Sequence, residues 1–219
     1  SDKEDLVAQE KAVSDSKQNT MTAAYAKQFL TEYLVLKKQK GELTEEDKQN
    51  LVDKVMNNVK PLAITDKYTI SDIKISGDIS KESVKKYAEG MKSIFVDSKN
   101  TLPNESEIFN LLLKNIEEEN IKNIELSIKA LNDYTILNEK RVEIMLSPSI
   151  PENLSKNHLE VVNGFNNIKF AIENMTIAQT DPVKAMMGQK LYDEQMQRIY
   201  NALKSIQEIF NEYEITVFK

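Results

Sequence analysis

Residues 121–145 read IKNIELSIKALNDYTILNEKRVEIM, and this stretch decides the fold class. Ile121, Ile124, Ile128, Leu131, Thr135, Asn138, Val142 and Met145 recur at alternating spacings of three and four, which places them on one face of an α-helix. Leu126, Leu137 and Ile144 widen the stripe, and a wide stripe suits a helix of a bundle better than an isolated two-stranded coil. Thr135 and Asn138 interrupt it with polar side chains. A polar residue at a core-like position can specify register or partner choice at a cost in stability, so both are candidate interaction or register positions. The alternative is that this part of the helix faces solvent.

Working outward, the helical period recurs on both sides. Residues 103–120, PNESEIFNLLLKNIEEEN, lead into the long stripe, with Glu117, Glu118 and Glu119 marking either a break between two helices or a solvated face. SPSIP at 147–151 is the strongest breaker in the chain. Beyond it Leu154, His158, Val161, Phe165, Ile168, Ile172 and Met175 alternate by four and three. Asp181 before Pro182 predicts a helix start, with Asp as N-cap and Pro at the first helical position. Tyr192, Met196, Ile199, Leu203, Ile206, Phe210 and Tyr213 form the stripe of the last helix.

Toward the N-terminus, Ala24, Tyr25, Phe29, Tyr33 and Leu36 predict a helix stopped by Gly41. Thr44 opens a second that ends before Pro61, so the pair forms an αα-hairpin. Another helix starts at Ser80 and ends near Asn100. Only residues 68–76, YTISDIKIS, shift to a period of two, which predicts a short strand; its expected partner is EITVF at 214–218. The first twenty residues are mostly polar and are expected to form a tether or a solvated extension of the first helix. Residues 21–219 are expected to form a single helical domain.

Five Gly and five Pro in 219 residues are too few for all-β folds, which need a turn every ~8–12 residues. The prediction is therefore a mainly α protein: a multi-helix bundle of about six to eight helices with at most a minor two-stranded β element. Three glycines, Gly90, Gly164 and Gly188, fall inside predicted helices and are expected at close helix contacts.

The formal charge is −6, and two arginines stand against 27 lysines, with no Trp. Net negative charge repels phosphate, and bidentate phosphate or base contacts want Arg, so nucleic acid is not an expected partner. Absence of Cys removes disulfides, thiolate nucleophiles and Cys-based metal sites. No apolar run reaches the ~20 residues that span a bilayer. The chain starts at Ser1 without an initiator Met, so a processed or trimmed chain is expected, with a preceding signal peptide or membrane anchor left open.

His158 is the sole histidine, so every imidazole mechanism must pass through it; its place on an apolar stripe favours a packed side chain instead. The chain has no H-E-x-x-H, no glycine-rich phosphate loop and no G-x-S-x-G. The acidic groups Glu117–Glu119 and Glu45–Glu46 read as solvated faces. Met186 and Met187, with Met175, Met91 and Met196, suggest either an adaptable binding surface or ordinary core filler. No catalytic residue, metal ligand or cofactor is assigned.

The segments PENLSKNHLEVVN (151–163) and DPVKAMMGQKLY (181–192), with YTISDIKIS and ESVKKYAEGM, resemble uncharacterised envelope proteins of reduced-genome, candidate-phylum bacteria. The likeness covers residues 68–219. It implies an N-terminal anchor before a mostly helical extracytoplasmic domain, and it supplies no catalytic residues. The composition is also similar to that of helical surface lipoproteins of spirochaetes. The expectation is a non-enzymatic, tethered envelope or cell-surface domain acting through contacts with a protein partner, with a homo-oligomer left open. The alternatives are a helical protein binding a small apolar ligand and, third, a carboxylate-based hydrolase; a cytoplasmic location is the alternative placement.

Overall fold

The structure is a computed structural model that describes residues 20–96 and 104–216. The expected tether therefore lies, apart from Thr20, outside the described residues, as does the expected helix end near Asn100. Among the described residues are seven α-helices and one two-stranded parallel sheet, which is a mainly α bundle with a minor β element. In chain order they are α1 (Met21–Lys40), α2 (Glu45–Asn57), a 3-10 turn (Ile70–Asp72), β1 (Lys74–Ser76), α3 (Lys81–Val96), α4 (Glu105–Glu117), α5 (Ile121–Leu146), β2 (Ser149–Pro151), α6 (Glu152–Met175) and α7 (Pro182–Glu212).

The helix ends follow from local chemistry. Thr20 accepts a hydrogen bond from the Ala23 amide, and Gly41, at φ 82°, ends α1 with its amide on the Lys37 carbonyl. Asn104 and Glu107 form a reciprocal capping box at the start of α4. The acidic run resolves as a break: Glu119 takes a left-handed φ of 53°, the Asn120 amide returns to the Asn115 carbonyl, and the Asn120 side chain caps α5.

Helices α6 and α7 form the centre. Leu154, Val161, Val162, Ile168, Ala171, Ile172 and Met175 of α6 are shielded from solvent, as are Ala185, Ile199, Ile206 and Phe210 of α7. Two glycines set the approach of this pair. A Cβ on Gly188 would stand 2.8 Å from the Ala171 carbonyl oxygen, and one on Gly164 would stand 2.5 Å from the Ile199 side chain. Gly90 differs from the expectation, since a Cβ there meets nothing within 4 Å.

The β element corrects the expected pairing. β1 pairs with β2, in parallel, with Ile75 opposite Ile150. The partner thus comes from the 147–151 breaker, where Ile150 is fully buried. Residues 214–216 are not a strand because they terminate α7: Glu214 turns to φ 54° and the Ile215 amide bonds the Phe210 carbonyl. Residues 217–219 lie outside the described residues.

Polar groups in the centre tie the segment between α2 and the 3-10 turn to the bundle. Asn163 grips Tyr68 twice, accepting from its amide at 3.0 Å and donating to its carbonyl at 2.9 Å. Asn167 donates to Asp66 and to Gln195, while Arg198 holds both Asp66 oxygens at 2.7 Å and Glu160 at 2.6 Å. Burial of an amide is stabilising only when its hydrogen bonds are made, and here they are made to backbone and to an ion pair.

Candidate functional site: an open apolar groove between α4 and α5

The α4–α5 hairpin leaves a groove of about 620 Å³ along its outer side. Asn123, Ser127, Ala130, Tyr134 and Leu137 line it from α5 at spacings of four, three, four and three, and Ile108, Leu111 and Asn115 line it from α4. This second face of α5 is rotated by about a third of a turn from the buried stripe. It runs from Asn123 to Lys140, which at 1.5 Å per residue is roughly 25 Å of helix. Leu111, Leu126 and Ile136 stand 50%, 56% and 51% exposed along it. Its floor is polar and satisfied: Asn115 donates to the Ser127 hydroxyl at 3.3 Å, which donates to the Asn123 carbonyl at 2.9 Å. Asp133, on the rim, is paired with Lys129.

The residues singled out from the sequence lie elsewhere. Asn138 is 1% exposed and accepts from Arg141 at 2.8 Å; it borders a separate hollow of about 110 Å³ with Tyr68, Glu139 and Phe165. Thr135 is half-buried, its hydroxyl bent back to the Leu131 carbonyl. Met186 and Met187 sit on the first turns of α7, exposed and half-buried respectively. The structure brings none of the four into the α4–α5 groove.

His158 is fully enclosed where α3, α5 and α6 meet. The Met145 carbonyl can only accept, so Nε2 carries the proton and donates to it at 2.9 Å. Nδ1 then accepts from the Tyr87 hydroxyl at 3.0 Å. Burial holds His158 neutral, with its pKa pushed down to about 4, and pushes the Tyr87 phenol up. Both ring nitrogens are engaged by protein and the ring has no exposed surface. The arrangement is a three-helix tie, and a substrate has no access to the imidazole.

A second polar cluster joins α4, α5 and α7. Tyr192 donates to Glu105 at 3.1 Å, and burial together with the Glu105 charge pushes its phenol up. The Arg141 guanidinium lies 5.4 Å from the centre of the Phe165 ring, and burial lowers its pKa. Asn138 Nδ2 and Arg141 Nε are enclosed and lack a protein partner among the described residues. Neither atom has surface for a ligand to reach, so this cluster is a tension in the packing and not a site. Among the described residues, no three His, Asp or Glu side chains stand close enough to hold a metal ion, and no helix is long and apolar enough to cross a membrane.

Comparison with family models, with curated proteins and with solved structures finds no match to this chain. The sequence did carry a signal for the groove: Leu111-Leu112-Leu113 puts more leucine on a 13-residue helix than one buried face can take, and only Leu112 is fully buried.

Proposed function

We propose that the chain is a non-enzymatic helical interaction domain of a bacterial cell envelope, tethered through its N-terminal segment, and that it binds a helical segment of a protein partner in the α4–α5 groove. The observation that carries this reading is the half-exposed Leu111, Leu126 and Ile136 along one groove. Amphipathic helices dock into such grooves through side chains at i, i+3 or i+4, and i+7. A channel of roughly 25 Å matches a partner helix of about 17 residues. Walls that remain half in solvent suit a partner that covers them better than a small ligand that would sit between them. The envelope location rests on the sequence resemblance and on the polar residues at the start of the chain.

A peptide-display selection against the full chain tests the groove. Selected binders should carry leucine-type residues at helical spacing, and Leu111→Glu with Leu126→Glu should weaken them at least tenfold while leaving the fold intact. Binders that ignore both substitutions overturn the reading. The gene sequence upstream of Ser1 tests the tether: a lipid-attachment motif or transmembrane helix is expected there, and an initiator Met immediately before it, with neither present, refutes it.

The groove volume also falls within the range of small-molecule sites. An apolar ligand bound there with the Tyr134 ring beside it is the second reading, and a lipid-extraction assay on purified protein separates the two.

A further inference from the structure

A helix that fits the α4–α5 groove is present in the chain itself. Along α5 the groove is lined by Asn123, Leu126, Ala130, Asp133, Leu137 and Lys140, at spacings of three, four, three, four and three. That is a seven-residue repeat, on a helix whose other stripe, through Ile124, Leu131, Asn138 and Met145, is already taken by the core. Every side chain of the groove stripe is exposed or half-buried. Helix α5 thus carries two stripes, and only one of them is packed.

The groove stripe is complementary to its own reverse. In an antiparallel pair about a twofold axis between residues 131 and 132, Leu126 of one copy faces Leu137 of the other, and Asn123 faces Lys140. Ala130 and Asp133 face each other beside the axis, where the small Ala130 lets the helices approach. Along the outer rim Glu125 comes opposite Lys140, Lys122 opposite Glu143 and Lys129 opposite Asp133. Each pair has opposite signs, each occurs twice, and all six side chains are exposed. Lys129 already pairs with Asp133 of its own helix, so at the axis the four charges alternate around a square. A slip of one heptad sets Leu137 against Asp133 in one direction and against Glu119 in the other.

The lengths agree as well. Helix α4 has 13 residues against 26 in α5, so it flanks only the first half of its neighbour. In the reversed pair the two copies of α4 lie at opposite ends, and the length of α5 is clear for its mate. Leu111 then lies with Leu126 against Leu137 of the other copy.

We propose that the helix received by the groove is α5 of a second copy of this chain, so that two chains associate face to face with α5 antiparallel to α5. The inference rests on the reading of the groove as a helix-docking surface and names its occupant. The interface is isologous: one patch serves both copies. The leucines supply the affinity, and the rim charges choose direction and register. A strip about 25 Å long and two helices, or roughly 20 Å, wide offers roughly 500 Å² per copy, below the ~800 Å² of a standard interface. The dimer is accordingly weak, dissociating in the micromolar range.

Sedimentation velocity on the full chain from 5 to 500 μM tests it. A concentration-dependent dimer is expected, lost in Leu111→Glu/Leu126→Glu. Glu125→Lys sets Lys against Lys140, and Lys140→Glu sets Glu against Glu125, so each variant alone should dimerise at least tenfold more weakly. An equimolar mixture of the two restores both pairs and should recover dimer. Since the chain has no Cys, Ala130→Cys should cross-link to itself through a short bismaleimide, whereas Asn123→Cys, roughly 25 Å from its mate in an antiparallel pair, should not. A wild-type monomer at 500 μM that still binds display-selected helical peptides overturns the second copy as occupant and leaves the docking reading standing; a monomer that binds none overturns both. A dimer indifferent to the leucine changes, a charge-reversed mixture no better than its parts, or self-linking at residue 123 also overturns the proposal.

Discussion

Helices α1 and α2 form an arm that Asp181 joins to the bundle, and removing this carboxylate has a calculable effect. Asp181 is 5% exposed. Its Oδ2 accepts from the Met21 amide at 2.8 Å. Its Oδ1 accepts from the Thr22 amide at 3.0 Å, the Thr22 hydroxyl at 2.7 Å and the Lys184 amide at 3.2 Å. The Thr22 hydroxyl in turn accepts from the Val183 amide at 2.9 Å. One side chain thus serves the positive N-terminal ends of α1 and α7 together. Replacing an N-cap by Ala costs about 0.5–2 kcal/mol, so Asp181→Ala, which strips two helix starts, should destabilise by about 2–3 kcal/mol. Asp181→Asn keeps one acceptor and loses the charge, and should destabilise by about half as much. Burial alone would raise the pKa of Asp181, but the hydrogen bonds from Thr22, Met21 and Lys184 outweigh it and hold the carboxyl below the usual range. A folded pKa below the unfolded one means the contribution is complete above about 3.9 and is lost as pH falls through the folded value. The assay is urea unfolding followed by far-UV circular dichroism, with amide exchange in α1 and α2. Exchange in the arm should accelerate more than exchange in α6. An Ala variant within about 0.5 kcal/mol of wild type, with arm protection unchanged, would refute the claim that this carboxylate is the joint.

Acid should act on the enclosed imidazole in the same direction but at higher pH. His158 is neutral when folded, with a pKa near 4 against about 6.5 unfolded, so the unfolded state takes up the proton first and stability falls as pH drops from about 6.5 to about 4, by about 3 kcal/mol. His158→Gln should flatten that part of the profile although its stability at pH 7 is lower; an unchanged slope assigns the acid sensitivity elsewhere. The glycines give a paired prediction of opposite sign. Gly188→Ala drives a methyl against the Ala171 carbonyl and the Met175 amide, backbone that cannot step aside, and should cost about 2 kcal/mol or more; Gly90→Ala meets open space and should gain about 0.5–1 kcal/mol from helix propensity, both read from denaturation midpoints.

What could be read from the sequence was whatever is decided within a few residues. Asp181-Pro182 announced a helix start because cap and first-turn geometry are local, and the structure shows that start. What the sequence could not supply was the second helix start that the same carboxylate serves, since Thr22 stands 159 residues away from it. The strand partner was missed for a related reason. Ile150 between two prolines has no period of its own, and residues 149–151 become a strand through their pairing with β1; EITVF has the composition of a strand, but its described residues, 214–216, end α7.

The long helix that decided the fold also shows where sequence reading stops on the way to function. Its stripe is oriented as expected over most of its length: Ile124, Leu131, Asn138, Val142 and Met145 are buried, Ile128 and Thr135 are half-buried, and the polar Asn138 lies inside instead of facing solvent, while Ile121 at the start is 70% exposed. By spacing Leu126, Leu137 and Ile144 widen that stripe, yet Leu126 and Ile144 are 56% and 54% exposed, and Leu126 and Leu137 line the groove. An apolar residue beside a buried stripe has the same pattern whether its neighbour is the core or an absent partner. Three-dimensional packing distinguishes the two, because α4 is only half the length of α5 and covers one flank of it. The polar interior behaves in the converse way. The enclosed asparagines of α6 and the single histidine look like candidate chemistry in a sequence, but Asn163, Asn167 and His158 each hold a distant segment in place. With those side chains engaged inside, the large apolar side chains left uncovered among the described residues include Leu126 and Ile136 on α5 and Leu30 and Leu34 on α1.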